Sequence, residues 1–134
     1  MDAIGAKVLV VDHDEEILTT LESLLEDDGF DTTTAWTGLD ALKAINGKGF
    51  DLVLVSDYLP DMDAEKLIQQ LHRAAGDVPC VVMQTSREPI PGVRSLIWTG
   101  AVDVVCKWSS ESVLETVRRY HLRRSIGVAG GRAH

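Results

Sequence analysis

Asp12, Ser56, Asp57, Thr85 and Lys107 each stand at or just past the end of a short apolar run. The runs are Lys7 to Val11, Leu52 to Val55, Val78 to Met83 and Ala101 to Cys106. They close in turn on Asp12-His13-Asp14, on Ser56-Asp57, on Gln84-Thr85-Ser86 and on Lys107. Carboxylates, a hydroxyl and a lysine brought to one edge would form a small pocket for a cation and a phosphate. Hard carboxylate oxygens hold Mg²⁺, while an ammonium and a hydroxyl bind phosphoryl oxygens. Taken singly these residues are ordinary, since an acid after a strand is usually a solvated loop residue or a helix cap. Their ordered combination is the informative feature.

Side chains this far apart in sequence meet only if the runs lie side by side. Each run is short and continuously apolar, as a strand buried on both faces reads. The stretches between them carry helical spacing. After Asp14 come Ile17, Leu18, Leu21, Leu24 and Leu25, with Gly29 as a stop. Gly38 to Ile45 presents Ala41, Leu42 and Ile45, and a third helix carries Leu67, Ile68 and Leu71. Glu88 to Gly92 is a break, followed by a short helix over Val93 to Trp98. Ser109 or Ser110 can cap a last helix with Val113, Leu114, Val117 and Tyr120 on one side. Thr32 to Trp36 is β-prone but polar, which suits a position nearer a sheet edge. Five strands thus alternate with five helices, the pattern of an α/β fold with a parallel sheet and helices on both faces. In open sheets of that kind ligands bind beyond the carboxyl ends of the strands, where the polar residues fall.

The 134 residues suit one domain with a core that needs no disulfide or metal. The net charge of −8 argues against nucleic-acid binding by the domain as a whole. Cys80 and Cys106 lie inside apolar runs and read as buried, reduced thiols. The N-terminus carries no signal-peptide pattern and no apolar run is long enough to span a membrane, so a soluble cytoplasmic protein is expected. Residues 1–122 read as the folded unit and 123–134, Gly-rich, as a flexible tail or the start of a linker. Arg118, Arg119, Arg123 and Arg124 cluster before it, which fits a solvated helix end better than a binding patch.

Over roughly residues 5 to 122 the sequence resembles a response-regulator receiver domain. The motifs that carry the resemblance are VLVVDHDEEIL, GLDAL, DLVLVSDYLPDMDA, VPCVVMQTS and GAVDVVCKW. It implies a flavodoxin-like, doubly wound sheet of strand order 2-1-3-4-5. It also implies Mg²⁺-dependent transfer of a phosphoryl group from a partner histidine kinase to an aspartate. The family has an acidic pair after strand one, the acceptor aspartate after strand three, a Thr or Ser after strand four and a Lys after strand five. Asp12 matches the first acid, Thr85 the hydroxyl and Lys107 the lysine. His13 stands where the second acid belongs, and a neutral imidazole is a poorer Mg²⁺ ligand than a carboxylate. Trp108 replaces the proline after the lysine, Val104 the aromatic switch residue and Ala64 a glycine. A cis peptide before a residue other than proline costs about 3 kcal/mol, so a trans bond is expected before Trp108.

The acceptor position has two frames. Family spacing counted forward from Gly38, and counted back from Pro60, ends on Ser56 both times. The residue following Asp57, Tyr58, and the separation from Asp57 to Lys107 suit the other frame. A one-residue slip in a strand turns each side chain to the opposite face, so the frames exclude one another within a regular strand. Thr85 fits when counted from Lys107 and Gln84 when counted from Pro79, which one extra residue in or just after strand four would explain. The Ser56 frame needs that single insertion; the Asp57 frame needs further changes around strand three.

Serine cannot form an acyl phosphate, and its presence with His13 removes two of three family acids. The resemblance then implies a degenerate receiver, not an enzyme, that works through contact with a histidine kinase or another signalling protein. Val104 and Trp108 would belong to its interaction face. The fourth helix, fifth strand and fifth helix form the surface through which the family also makes homodimers. In the alternative, Asp57 accepts the phosphoryl group with Asp12, Thr85 and Lys107 in support, and self-phosphorylation from a kinase or small phosphodonor is the only chemistry. A metal set of Asp12, His13 and Asp57 would bind Mg²⁺ weakly, and no other cofactor is expected. A metal-dependent hydrolase on a similar sheet lacks an evident general base set and a lid.

Overall fold

The computed structural model describes residues 5–46, 49–86 and 100–131, with the side chains of the last stretch described to residue 122. The strands are β1 (Lys7–Val11), β2 (Asp31–Ala35), β3 (Leu52–Ser56), β4 (Cys80–Gln84) and β5 (Ala101–Cys106). The helices are α1 (Glu15–Asp27), α2 (Gly38–Ile45), α3 (Ala64–Ala75) and α4 (Ser110–Gly131). The break at Glu88 to Gly92 and the short helix at Val93 to Trp98 lie outside the described residues, so α4 is the helix expected as the fifth. All pairings are parallel, in the order β2-β1-β3-β4-β5. This is the flavodoxin-like sheet the resemblance implies.

The strand sequences explain their places. β3 and β4 sit between neighbours and every residue in them is buried, which only apolar or fully bonded side chains tolerate. β2 (DTTTA) is an edge strand with alternating exposure, and β5 is the other edge. The pleat divides the core in two. Leu9, Val11, Val53, Val55 and Val82 pack with Ala41 and Ile45 of α2 and Leu67, Ile68 and Leu71 of α3. Val8, Val10, Leu54, Val81, Met83 and Val105 pack with Leu18, Leu21 and Leu25 of α1 and Val113 and Val117 of α4. Side chains two residues apart share a face of a strand. Asp12, Ser56 and Lys107 therefore continue the rows that face α1 and α4.

Local signals set the helix starts. Asp14 caps α1 by accepting from the Glu16 N–H, and Ser109 accepts from the Ser112 N–H at α4. The loop after β3 reaches across to α2. Asp61 accepts from the Gly38 and Leu39 N–H groups at 2.9 Å each, and a Cβ on Gly38 would meet Met62 Sδ at 2.6 Å.

Several expectations are corrected. β2 begins and ends one residue earlier than Thr32 to Trp36, and Trp36 is exposed. β4 starts at Cys80 rather than Val78. It pairs with β3 without interruption, so no extra residue lies within it. The irregularity of the sheet falls between β4 and β5, where Val81 faces Asp103 and Val102 is left over. Cys80 and Cys106 are free thiols, but only Cys80 is buried. The backbone of α4 runs from Ser110 to Gly131.

Candidate functional site

The carboxyl ends of β1, β3 and β5 bring Asp12, Ser56 and Lys107 together. Lys107 Nζ donates to Asp12 Oδ2 at 2.8 Å and to Ser56 Oγ at 2.9 Å. All three residues are buried, Asp12 and Ser56 completely. A lysine is tolerated there because a charge and a hydroxyl satisfy its protons. Asp12 Oδ1 is also engaged, accepting from the Asp14 N–H at 3.0 Å. Ser56 Oγ donates to the Tyr58 carbonyl at 2.8 Å and accepts from the Tyr58 N–H at 3.1 Å. Its hydroxyl proton therefore points to a carbonyl, away from any base.

Asp57 is the first residue past β3. Its N–H still donates to the Met83 carbonyl, but its side chain is no longer bound to the pleat and reaches over the end of β4. Thr85 donates to it twice, from the backbone N–H to Oδ2 at 2.8 Å and from Oγ1 to Oδ1 at 3.0 Å. Lys107 Nζ lies 3.9 Å from Asp57 Oδ1. Ser56 and Asp57 thus both approach Lys107, which the two-frame choice in the sequence does not anticipate. Gln84 ends β4, and its amide bonds the Ser86 carbonyl.

His13 is half exposed, with Nδ1 3.5 Å from Asp12 Oδ1. Its ring meets the Tyr58 ring edge to face at 5.0 Å. The peptide before Trp108 is trans, since no cis bond occurs among the described residues. Trp108 is 45% exposed and its Nε1 donates to the Thr85 carbonyl at 2.7 Å. Val104 is partly buried against the α2 and α3 side of the core. Tyr58 and Asp61 are site neighbours that sequence reasoning does not single out. Nothing in their types marks them, although an acid one residue past Pro60 is where a loop could cap a neighbouring helix.

The fit to a divalent cation is poor. Asp12 is committed to Lys107, Asp57 to Thr85, and His13 offers nitrogen where Mg²⁺ takes oxygen. Among the described residues no group of three or more His, Cys, Asp or Glu side chains is arranged to hold a metal ion. The set Asp12, His13 and Asp57 expected from the sequence does not assemble as one.

Two groups, Asp61 in the loop after β3 and Cys80 at the opposite end of β4, have displaced acidities. Burial pushes the Asp61 carboxyl up, but the N–H groups of Gly38, Leu39 and Asp61 itself outweigh it and hold the pKa below the usual aspartate value. Burial raises the Cys80 thiol to about 12, so it is not a nucleophile at neutral pH.

Known proteins share both the sequence pattern and the shape. Residues 8–118 match the response regulator receiver domain family. The chain is 33% identical over 120 residues to a transcriptional regulatory protein CpxR homolog of Haemophilus influenzae, covering 90% of this chain and 52% of that protein. It is also 33% identical over 122 residues to the alkaline phosphatase synthesis transcriptional regulatory protein PhoP of Bacillus subtilis, covering 91% and 50%. The chain therefore spans about half the length of the curated relatives it matches. The receiver domain of the Francisella response regulator 1452 superposes with a TM-score of 0.81 at 25% identity, over 90% of this chain and 99% of that one. A CheY-like receiver domain protein of Methanospirillum hungatei has the same fold, with a TM-score of 0.82 at 22% identity, over 92% and 99% of the two chains. No described helix is long and apolar enough to cross a membrane. The chain belongs to the response regulator receiver domain family.

Proposed function

We propose that this receiver domain transmits its signal through protein contacts, with Ser56 at the acceptor position and without forming an acyl phosphate. The observation that carries this reading is the 2.9 Å bond from Lys107 Nζ to Ser56 Oγ beside the 2.8 Å pair with Asp12. A serine could take a phosphoryl group only as an ester, which requires a base to remove its proton. That proton is donated to the Tyr58 carbonyl, and the nearest charged group is an ammonium. Asp12, His13 and Asp57 are not disposed to bind Mg²⁺ tightly. The partner is a histidine kinase or another signalling protein, met on the face that includes Val104 and Trp108. Residues 1–122 form the receiver unit and 123–134 its tail or the start of a linker. The domain itself has no nucleic-acid or membrane role in this reading, and it works in the cytoplasm. A homodimer would use the same face.

The second reading is phosphoryl acceptance at Asp57, favoured by its contacts with Thr85 and its 3.9 Å approach to Lys107. Incubation with Mg²⁺ and acetyl phosphate, followed by intact mass and peptide mapping, separates the two. The proposal expects no added phosphoryl group. An acid-stable, base-labile label that disappears in Asp57→Asn would sink it.

A further inference from the structure

We infer that the Asp57 carboxylate takes, on Thr85 and Lys107, the place a phosphoryl group would take, and so clamps Thr85, the first residue after β4, without a phosphodonor. This rests on the reading of Ser56 as the residue at the acceptor position. A carboxylate carries two accepting oxygens and a negative charge, and donors that suit phosphoryl oxygens suit it equally. Both Asp57 oxygens are used by Thr85, one by its N–H and one by Oγ1. Lys107 stands 3.9 Å away on the side of Oδ1. It cannot swing off, because Asp12 and Ser56 hold its ammonium.

Thr85 is gripped from a second side. Trp108, the residue after Lys107, donates from Nε1 to the Thr85 carbonyl at 2.7 Å. The N–H, hydroxyl and carbonyl of one residue are thus all engaged by groups from the ends of β3 and β5. Asp57 lies outside the regular pairing of β3, free of the pleat that fixes Ser56. The neutral Ser56 beside Lys107 leaves Asp57 as the anion that Thr85 and Lys107 share.

The test uses the whole chain with no phosphodonor present. Amide hydrogen exchange at residue 85 and the Trp108 indole N–H resonance, assigned with Trp108→Phe, are followed in Asp57→Ala. The expected result is exchange at residue 85 faster by about tenfold or more, a displaced indole resonance, and unchanged rates in β1 and β3. Unchanged exchange at residue 85 overturns the inference. Should β1 and β3 accelerate as well, Thr85→Val and Asp57→Asn decide: selective acceleration at residue 85 supports the clamp, and uniform acceleration overturns it. The phosphodonor experiment reports separately. A labelled Asp57 ends both the proposed function and the clamp, whereas an unlabelled protein with unchanged exchange at residue 85 ends the clamp alone.

Discussion

Lys107 and Asp12 form an ion pair of 2.8 Å with side chains only 3% and 0% exposed. Two charges so far from water depend on each other, because the survivor of a broken pair stays buried and uncompensated. Losing one partner of such a pair costs about 3–5 kcal/mol, while replacing both by apolar groups costs far less. Lys107→Met is therefore expected to lose about 3–5 kcal/mol in urea unfolding at neutral pH. Asp12→Leu combined with Lys107→Met should recover much of that loss. Strict additivity of the two single effects would show that the pair is not coupled.

Gly100, immediately before β5, has φ +123 and faces α3, where a Cβ would meet His72 Cε1 at 2.5 Å. L-residues avoid that backbone region, and the cost is about 1–3 kcal/mol. Gly100→Ala should lower the unfolding free energy by that amount or more. His72→Ala in the same chain should relieve the steric part and leave the backbone part, as a double-mutant cycle in urea would measure.

The sequence displays the sheet clearly because β1, β3 and β4 are buried on both faces and tolerate little but apolar residues. The loop after β3 is fastened to α2 by Asp61 and packed on Gly38 through Met62, which is the physical basis for counting toward the acceptor position from Gly38 and from Pro60. Asp57 is legible as a candidate, but its approach to Thr85 and Lys107 alongside Ser56 is not. The two-frame choice assumed that a period of two still governs the next residue, yet the strand ends at Ser56 and the chain turns. β4 pairs with β3 without a break from Cys80 to Met83, so the extra residue does not lie within that paired stretch, and the bulge at Val102 in β5 is a separate feature that shows only once its neighbour is known. The sequence shows the acids Asp12 and Asp57 but not the donors that occupy them, Lys107 and Thr85.

Asp61 ties stability to pH. An unfolded aspartate titrates near 3.8, and the folded Asp61 lies below that value. A depressed folded pKa adds stability that is complete above the unfolded pKa and is lost as pH falls through the folded one. Asp28 shifts in the same direction, chiefly through its hydrogen bond from Arg118. Urea stability should accordingly fall below about pH 4. Asp61→Asn should flatten that fall and cost about 1 kcal/mol at neutral pH as a weakened helix cap. An unchanged acid slope in Asp61→Asn would mean that the cap does not form in solution.

On the proposed reading of Ser56 as the acceptor position, two substitutions should supply the family's acids. His13→Asp and Ser56→Asp together add two hard oxygen ligands beside Asp12 and return a carboxylate to the end of β3, with Lys107 and Thr85 already in reach. Carboxylate number governs divalent-cation affinity in sites of this kind, so the double variant should bind Mg²⁺ in the millimolar range or tighter, readable as quenching or enhancement of tryptophan fluorescence. It should also become labelled by acetyl phosphate. Asp57 would then compete for Thr85 and Lys107, the same donors an acceptor at position 56 requires. Adding Asp57→Asn to the double variant should therefore accelerate labelling, by about tenfold if a charge-assisted hydrogen bond is what the native carboxylate contributes. Slower labelling in the triple variant would show instead that Asp57 supports phosphoryl transfer rather than occupying the place of the phosphoryl group.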